Sequence, residues 1–175
     1  SRERPVYTLD AQGALIALPW AGSTVLAAAP YGNLVHVGTP GPGLPGADYL
    51  QHRQRQQQRR KMLYLGTGDG LLHGFDAGSG SELFAYLPQA LLEQAALASG
   101  PLHGGAAASA EVRLAGRWRT VLASGMGGGA QGVFALDITD PARFAQEGAV
   151  WEFTDRDDAV MGNVRAPPGF ARVNM

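Results

Sequence analysis

The stretch of sequence that decides the fold is residues 62–88, which read MLYLGTGDGLLHGFDAGSGSELFAYLP. It contains three short runs rich in apolar and aromatic residues, and glycines separate them. Asp69-Gly70 lies between the first two runs, and an Asp-Gly pair flanked by hydrophobic residues is a strong signal for a hairpin turn. Gly78-Ser79-Gly80 separates the second run from the third. The stretch therefore predicts three antiparallel strands joined by tight turns.

Part of this stretch recurs twice elsewhere in the chain. Three segments share an apolar residue, two variable positions, a large apolar residue, an aspartate and another apolar residue; they are residues 6–11, 72–77 and 133–138. The repeat aspartates are Asp10, Asp76 and Asp137. A turn and a second apolar run follow each aspartate, at 14–20, 82–88 and 149–155. Periodic placement predicts a structural role, in which each aspartate accepts backbone hydrogen bonds as in an Asx turn.

Two further apolar runs precede each of the later repeats, so that four strands recur in tandem. They lie at 33–39 and 61–66, and at 110–114 and 118–124. A recurring unit of four antiparallel strands is typical of a β-propeller blade. We therefore predict an all-β fold, a propeller fragment with about two complete four-stranded antiparallel blades, partial blades and one or two short helical insertions. The expected division is a blade end at 6–20, a blade at 33–88, a helical insertion at 88–99, a blade at 106–155 and the start of a next blade at 164–175.

Composition agrees with a packed, turn-rich β chain. The 175 residues include 25 glycines and 11 prolines; 45% are hydrophobic and 17% are charged. This apolar content is enough to offset chain entropy on folding, which argues against disorder. The formal net charge of -1 provides no global field that would attract nucleic acid. Glycines and prolines interrupt the long uncharged stretch 11–37, so we expect no membrane-spanning helix.

Two insertions interrupt the predicted blades. Residues 88–99 begin with proline, carry apolar residues at helical spacing and precede a Gly-Pro pair, which predicts one short helix. Residues 51–61 combine five glutamines with a concentration of positive charge, and a second helix is expected near 48–60. The five cations are Arg53, Arg55, Arg59, Arg60 and Lys61. We interpret them as a candidate interaction loop for an acidic partner, and the alternative is a solvated surface connection.

The sequence carries no complete catalytic, cofactor or metal motif. Residues 125–130 match the dinucleotide fingerprint as a string, but a strand is expected to follow instead of the required helix, so we predict an inter-strand loop. The acidic turn at 155–158 opens like a calcium loop but lacks the glycine and glutamate that such a loop needs. The four histidines have no paired ligand spacing, and cysteine is absent. We expect no catalytic residue, cofactor or metal ligand in this segment.

Two long motifs, occurring in order, resemble the PilY/PilC family of type IV pilus biogenesis factors and tip-associated adhesins. The first motif is the opening stretch, 62–88. The second combines 118–122, the glycine run at 125–129, 132–141 and 151–155. The resemblance covers roughly 35–174 and implies a fragment of the C-terminal β-propeller of a much larger protein. It also implies partners among pilus components such as minor pilins, and attachment to host or abiotic surfaces.

The same resemblance implies a non-enzymatic scaffold that supports pilus biogenesis and surface attachment. Its expected location is the envelope or surface of a Gram-negative bacterium: periplasm, outer membrane or pilus tip. The family's calcium-binding loop has no counterpart in this sequence, so no metal residue is carried over. Two alternatives stay open. One is a quinoprotein-like dehydrogenase, whose propeller repeats also end in an aspartate turn before an aromatic strand; the other is a periplasmic assembly scaffold unrelated to pili.

Overall fold

Two β-sheets carry most of the regular structure in the computed structural model, which describes residues 5–19, 26–29, 32–92, 102 and 105–171. The strands of the first sheet are β1 Val6–Leu9, β2 Leu15–Leu18, β3 Leu34–Val37, β4 Met62–Gly66, β5 Leu72–Asp76 and β6 Glu82–Tyr86. Those of the second are β7 Ala107–Leu114, β8 Arg117–Gly125, β9 Gly132–Asp137 and β10 Ala149–Thr154. The prediction of a mostly β chain with few short helices is confirmed.

The strands β3 to β6 and β7 to β10 form two antiparallel meanders, in which neighbours in sequence are also neighbours in the sheet. The first sheet has the order β2-β1-β6-β5-β4-β3, and the second has the order β10-β9-β8-β7. Tight turns make this order possible. Gly70, at φ +86°, closes the turn between β4 and β5, and this left-handed conformation favours glycine.

The hairpin of β1 and β2 does not end a separate blade, contrary to the prediction for residues 6–20. Strand β1 pairs in parallel with β6, with Val6 beside Ala85 and Tyr7 beside Tyr86, and so extends the first sheet. The physical reason is burial. Val6 and Ala85 are fully buried, and the pairing covers an edge of β6 whose backbone groups would otherwise lack partners.

Short helical segments connect the strands. Helix α1 spans Ala47–Arg55, so it overlaps the first part of the predicted basic insertion at 51–61 and ends before the predicted end near 60. A 3₁₀ turn at Pro141–Arg143 leads into α2, Phe144–Glu147. Residues 89–92 are helical, and the rest of the helix predicted at 88–99 lies outside the described residues. In the described part of the chain, no helix has the length and apolar character needed to cross a membrane.

The end of the described chain differs from the predicted start of a next blade at 164–175. Residues 164–171 form no strand, and 172–175 lie outside the described residues. The segment is nevertheless attached to the end of the second sheet. Val164 accepts a backbone hydrogen bond from Gly127 at 3.0 Å, and Arg165 accepts one from Ala106 at 3.3 Å.

One hydrophobic core joins the two sheets. Tyr64 and Phe84 of the first sheet share it with Leu122 and Leu136 of the second, all of them buried. Phe144 of α2 stacks on Phe84, with ring centroids 3.7 Å apart and planes 9° apart. The α2 segment thus closes the core on the side where β2 lies.

On the opposite side of this core, β3 lies beside β7, so that the first strands of the two meanders are neighbours. Asn33, which precedes β3, fixes this arrangement. Its side-chain amide donates to the carbonyl of Ala107 at 2.9 Å, and its side-chain oxygen accepts the Ala107 N–H at 2.7 Å. The two sheets therefore share one core, and their first strands lie side by side.

Candidate interaction surface

Helix α1 attaches the basic insertion to the second sheet. Tyr49 on this helix is buried, and its hydroxyl donates to the carbonyl of Gly41 at 2.7 Å. Its ring lies 4.7 Å from the ring of Trp118 on β8. Trp118 donates its indole N–H to Asp48 at 3.0 Å, in the first turn of α1. Aromatic packing and two hydrogen bonds therefore fix the beginning of the helix.

A buried polar cluster fixes the other end of the insertion, with Glu111 of β7 at its centre. Its carboxylate lies 2.8 Å from Nε2 of His52 and 3.4 Å from a guanidinium nitrogen of Arg59. The hydroxyl of Thr120 on β8 donates to Glu111 at 2.9 Å and accepts a hydrogen bond from Arg59. Arg59 also donates from Nε to the carbonyl of Gly38 at 2.5 Å. Both ends of the insertion are thus bonded to β7 or β8.

The side chain of Arg59, one of the candidate loop cations, is largely buried. It is 6% exposed, and that of Glu111 is 12% exposed. Burial lowers the pKa of the Arg59 guanidinium from its ordinary value, while the nearby Glu111 carboxylate opposes this shift. A buried charge of this kind needs its partner, because an unpaired ion in the protein interior is strongly unfavourable.

The five predicted loop cations therefore divide into two groups. Arg59 and Arg53 serve the attachment of the insertion, since Arg53 donates from Nε to the carbonyl of Pro40 at 3.1 Å. Arg55, Arg60 and Lys61 are exposed. Sequence reasoning grouped all five in one candidate interaction loop. It missed Glu111, because no local pattern links that residue to Arg59, 52 positions away.

Of the three exposed cations, Arg60 alone has an ion-pair partner within the described residues. Its Nε lies 3.2 Å from Asp76, and its side chain is 53% exposed. Arg55 and Lys61 make no ion pair with any residue that the structure describes. We call Arg55, Arg60 and Lys61 the exposed cation group. Positive charge held on an anchored insertion is available for contact with an acidic surface.

A groove of about 670 Å³ lies beside the beginning of α1. Its walls are the glycine- and proline-rich loop at 41–45, the edge of β7 and the ring of Trp118. Two exposed apolar side chains, Leu44 and Phe170, contribute to it and are 39% and 40% exposed. The groove offers concave apolar surface next to charged side chains, as ligand-binding clefts do.

The three repeat aspartates hold turns. Each accepts backbone N–H bonds through Oδ1, at distances of 2.8–2.9 Å. The donors are Gln12 and Ala14 for Asp10, Gly78 and Ser79 for Asp76, and Thr139 for Asp137. These oxygens are engaged within the fold, as Asx turns require.

The two motifs that resembled ligand loops are also parts of turns. Residues 126–131 form a turn that leads directly into β9, with no helix to receive a pyrophosphate. In the acidic segment at 155–158, Asp157 accepts the backbone N–H of Thr154 at 2.8 Å. Within the ranges that the structure describes, no three histidine, aspartate or glutamate side chains are grouped so that they could hold a metal ion.

Comparison with known proteins gives a consistent set of relatives, although no protein-family model matches the chain. The chain is 32% identical to the type IV pilus biogenesis factor PilY1 of Pseudomonas aeruginosa over 139 residues, which is 74% of this chain and 12% of that protein. It is 34% identical over 112 residues to a PilY1 homolog of Xylella fastidiosa, covering 61% of this chain and 8% of the homolog. The chain thus spans only a small part of these relatives.

A solved structure agrees with the sequence comparison. The crystal structure of the Pseudomonas aeruginosa PilY1 C-terminal domain superposes with a TM-score of 0.66 at 30% sequence identity. The match covers 79% of this chain and 29% of that domain. The similarity therefore extends over most of the two-sheet structure described above.

Proposed function

The chain belongs to the PilY1 family of type IV pilus biogenesis factors, as a fragment, and we propose that it forms part of a non-enzymatic scaffold for pilus assembly and surface attachment. The names of the relatives support a role in type IV pilus biogenesis. The location we propose is accordingly the envelope or surface of a Gram-negative bacterium. These names favour this function over an assembly scaffold unrelated to pili.

The scaffold that we propose is a section of a β-propeller with blades at 33–88 and 106–155. One observation carries this part of the proposal: the two antiparallel meanders share one core, and their first strands, β3 and β7, lie side by side. Radial repetition of such units is how propellers bury each small sheet between its neighbours.

We place partner contact on the anchored insertion. The exposed cation group of Arg55, Arg60 and Lys61 lies on a segment that α1 and the Glu111 cluster hold against the second sheet. An anchored segment loses less conformational entropy on binding than a free loop does. The partners we propose are acidic surfaces of pilus components such as minor pilins.

Charge removal in the full-length protein tests this assignment. Replacing Arg55, Arg60 and Lys61 with Gln should leave folding intact and weaken partner affinity by about fivefold at low ionic strength, with a smaller effect at high salt. Piliation and surface attachment should fall in parallel. The matched control replaces Gln51, Gln54 and Gln58, exposed on the same insertion, with Ala. If the charge variant keeps the parental affinity, piliation and attachment at every salt concentration, the exposed cation group is not an interaction surface.

The absence of catalysis and of a cofactor is part of the same proposal. The alternative, a quinoprotein-like dehydrogenase, requires a quinone that is held by the protein and detected by its absorbance. Incubation of the purified protein with pyrroloquinoline quinone and calcium should leave no bound quinone spectrum after gel filtration. Retention of the quinone, together with dye-linked alcohol oxidation, would favour the dehydrogenase.

A further inference from the structure

The turn at 66–70, between β4 and β5, holds together parts of the chain that are distant in sequence. The backbone N–H of Gly68 donates to the carbonyl of Ala28 at 2.6 Å. Asp69 forms an isolated parallel bridge with Leu102, whose side chain also lies over Gly70. Any change that loosens this turn therefore affects the two segments bonded to it.

The turn also abuts the second sheet. Gly66 and Gly70 line a crevice of about 10 Å³ together with Gly105 and Gly125. A space of that size is at the lower limit for holding a single water molecule. The turn, the two attached segments and the end of the second sheet thus form one tightly packed junction.

His73, on β5 below this turn, is fully buried between two carboxylates. Its Nδ1 lies 2.7 Å from Oε1 of Glu82 on β6. Its Nε2 lies 2.8 Å from the hydroxyl of Thr67 and 3.9 Å from the carboxylate of Asp69. Phe75 stacks on the ring at 5.8 Å. In the described residues, Asp69 of the turn and Glu82 of β6 are the charged groups that face the imidazole, since β4 places Leu65 opposite it.

The donors and acceptors around His73 indicate its protonation state. The Thr67 hydroxyl has one proton, and its oxygen contacts both Nε2 of His73 and Oδ1 of Asp69. An imidazole that carried its proton on Nδ1 alone would need the Thr67 proton for Nε2, and the Thr67 oxygen would then face the Asp69 carboxylate without a hydrogen. The other neutral tautomer would present a bare Nδ1 to the Glu82 carboxylate.

An imidazolium satisfies the three contacts between charged or ring atoms. Its Nδ1–H donates to Glu82, its Nε2–H donates to Thr67, and the Thr67 hydroxyl donates to Asp69, with the Leu71 carbonyl at 3.3 Å as a second acceptor of the same hydroxyl. The proton stays on the ring when shared with Glu82, because imidazole is the stronger base: the ordinary pKa values are about 6.5 for histidine and about 4.3 for glutamate.

We propose that His73 is a charged latch: as an imidazolium it locks the turn at 66–70, and its deprotonation releases the turn together with the segments at Ala28 and Leu102. The mechanism is local, because loss of one ring proton breaks one hydrogen bond of the cluster. If Nε2 loses its proton, the Thr67 oxygen faces the Asp69 carboxylate without a hydrogen between them; if Nδ1 loses it, the bare nitrogen faces the Glu82 carboxylate. The device would couple the packing between the two sheets to the pH of the surrounding solution.

The electrostatic environment of His73 also favours the protonated ring. Burial alone would lower the pKa of His73, but the nearby carboxylates of Asp69 and Glu82 raise the pKa above its ordinary value on balance. A raised folded-state pKa means that the latch stabilises the fold fully below the unfolded value of about 6.5 and loses this effect as pH rises through the folded value. We therefore expect the turn at 66–70 to be released under neutral-to-alkaline conditions.

Two measurements on the unaltered chain test the latch. Nitrogen NMR of protein labelled with ¹⁵N-histidine should find both ring nitrogens of His73 protonated at pH 6.5 and should show one proton lost as the pH is raised. As rising pH removes the His73 proton, amide hydrogen exchange at Gly68 and Gly70, corrected for the intrinsic rate, should accelerate. The expected increase is about tenfold for each unit by which the pKa of His73 is raised. The amide of Gly80, bonded to Asp76 in the next turn, is the internal control and should not follow.

In the variant His73→Gln, the amide hydrogens of Gly68 and Gly70 should exchange fast at every pH. In the control His36→Gln, their exchange should depend on pH as in the unaltered chain. If His73→Gln fails to fold, the titration of the unaltered chain still decides. The latch is overturned if His73 holds a single ring proton at pH 6.5, or if it titrates while the protection of Gly68 and Gly70 stays constant.

Discussion

Glu111 governs the insertion through one carboxylate that meets three donors from different parts of the chain. His52 comes from α1, Arg59 from the segment after it and Thr120 from the neighbouring strand β8. Hydrogen bonds to a charged group are stronger than those between neutral groups, and their loss leaves a poorly solvated charge. The position of the exposed cation group therefore depends on residues that are not themselves exposed.

Replacing Arg59 with Gln should destabilise the chain by about 2 kcal/mol, because Glu111 loses its cation and keeps only partial compensation from His52 and Thr120. The matched control is Arg55→Gln, which removes an exposed charge from the same insertion and should change stability by less than about 0.5 kcal/mol. Urea unfolding of the two variants measures the difference. Equal midpoints would contradict the buried cluster.

Single-residue predictions from sequence succeeded where the interaction is local. Asp10 and Asp76 accept bonds from residues two to four positions ahead, and a turn motif contains that information. The pairing of Arg59 with Glu111 depends on how two sheets pack, and the composition of the insertion says nothing about it. For this reason the sequence grouped Arg59 with the other four cations of the candidate loop, although its side chain is only 6% exposed.

At the scale of elements, β5 and β6 show how a glycine makes room for sheet packing. Gly74 on β5 lies opposite Phe84 on β6, and Phe84 is held from its other side by Phe144 of α2. A Cβ atom added to Gly74 would lie 2.9 Å from the Phe84 ring, closer than real Cβ contacts come. The ring cannot move away, because Phe144 stacks on it.

Replacing Gly74 with Ala should therefore destabilise the chain by about 1–3 kcal/mol, the range for overpacking a core. Gly80→Ala is not a suitable comparison, because Gly80 has a positive φ of +70°. Gly162 has open space around it and no positive φ, so Gly162→Ala is the matched control and should be close to neutral. Thermal unfolding of both variants measures the effect. A stable Gly74→Ala protein would mean that Phe84 is free to shift.

The elements that could be predicted are those formed by neighbouring segments. Apolar runs bounded by glycine gave the strands of both meanders, since hairpin connections keep them adjacent in sequence and in space. The parallel pairing of β1 with β6 was missed, because it brings together strands with other elements between them. Patterns along one strand specify which face is buried but not which edge it joins.

At the scale of the whole molecule, the second sheet has one face packed on the first sheet and another that carries exposed aromatic residues. On β10, Glu152 points to the first sheet, where the Tyr86 hydroxyl donates to it. Trp151 and Phe153 alternate with it and are 44% and 40% exposed. They share their face with Val121 and Ala123 of β8, by the strand register. In the propeller that we propose, the next blade would cover this face.

Replacing Trp151 and Phe153 with Thr should have opposite effects in two contexts. In the 175-residue chain, self-association and binding of a hydrophobic dye should fall, with a small loss of stability, because both side chains are partly exposed there. In the full-length protein, each substitution should cost about 1.5–3 kcal/mol, because it removes a buried side chain from between blades. Leu114→Thr, at the tip of the β7–β8 hairpin and 39% exposed, is the control and should be mild in both contexts. Sedimentation of the chain and thermal unfolding of the full-length protein measure the two effects, and unchanged unfolding of the full-length variant would show that no neighbouring blade covers β10.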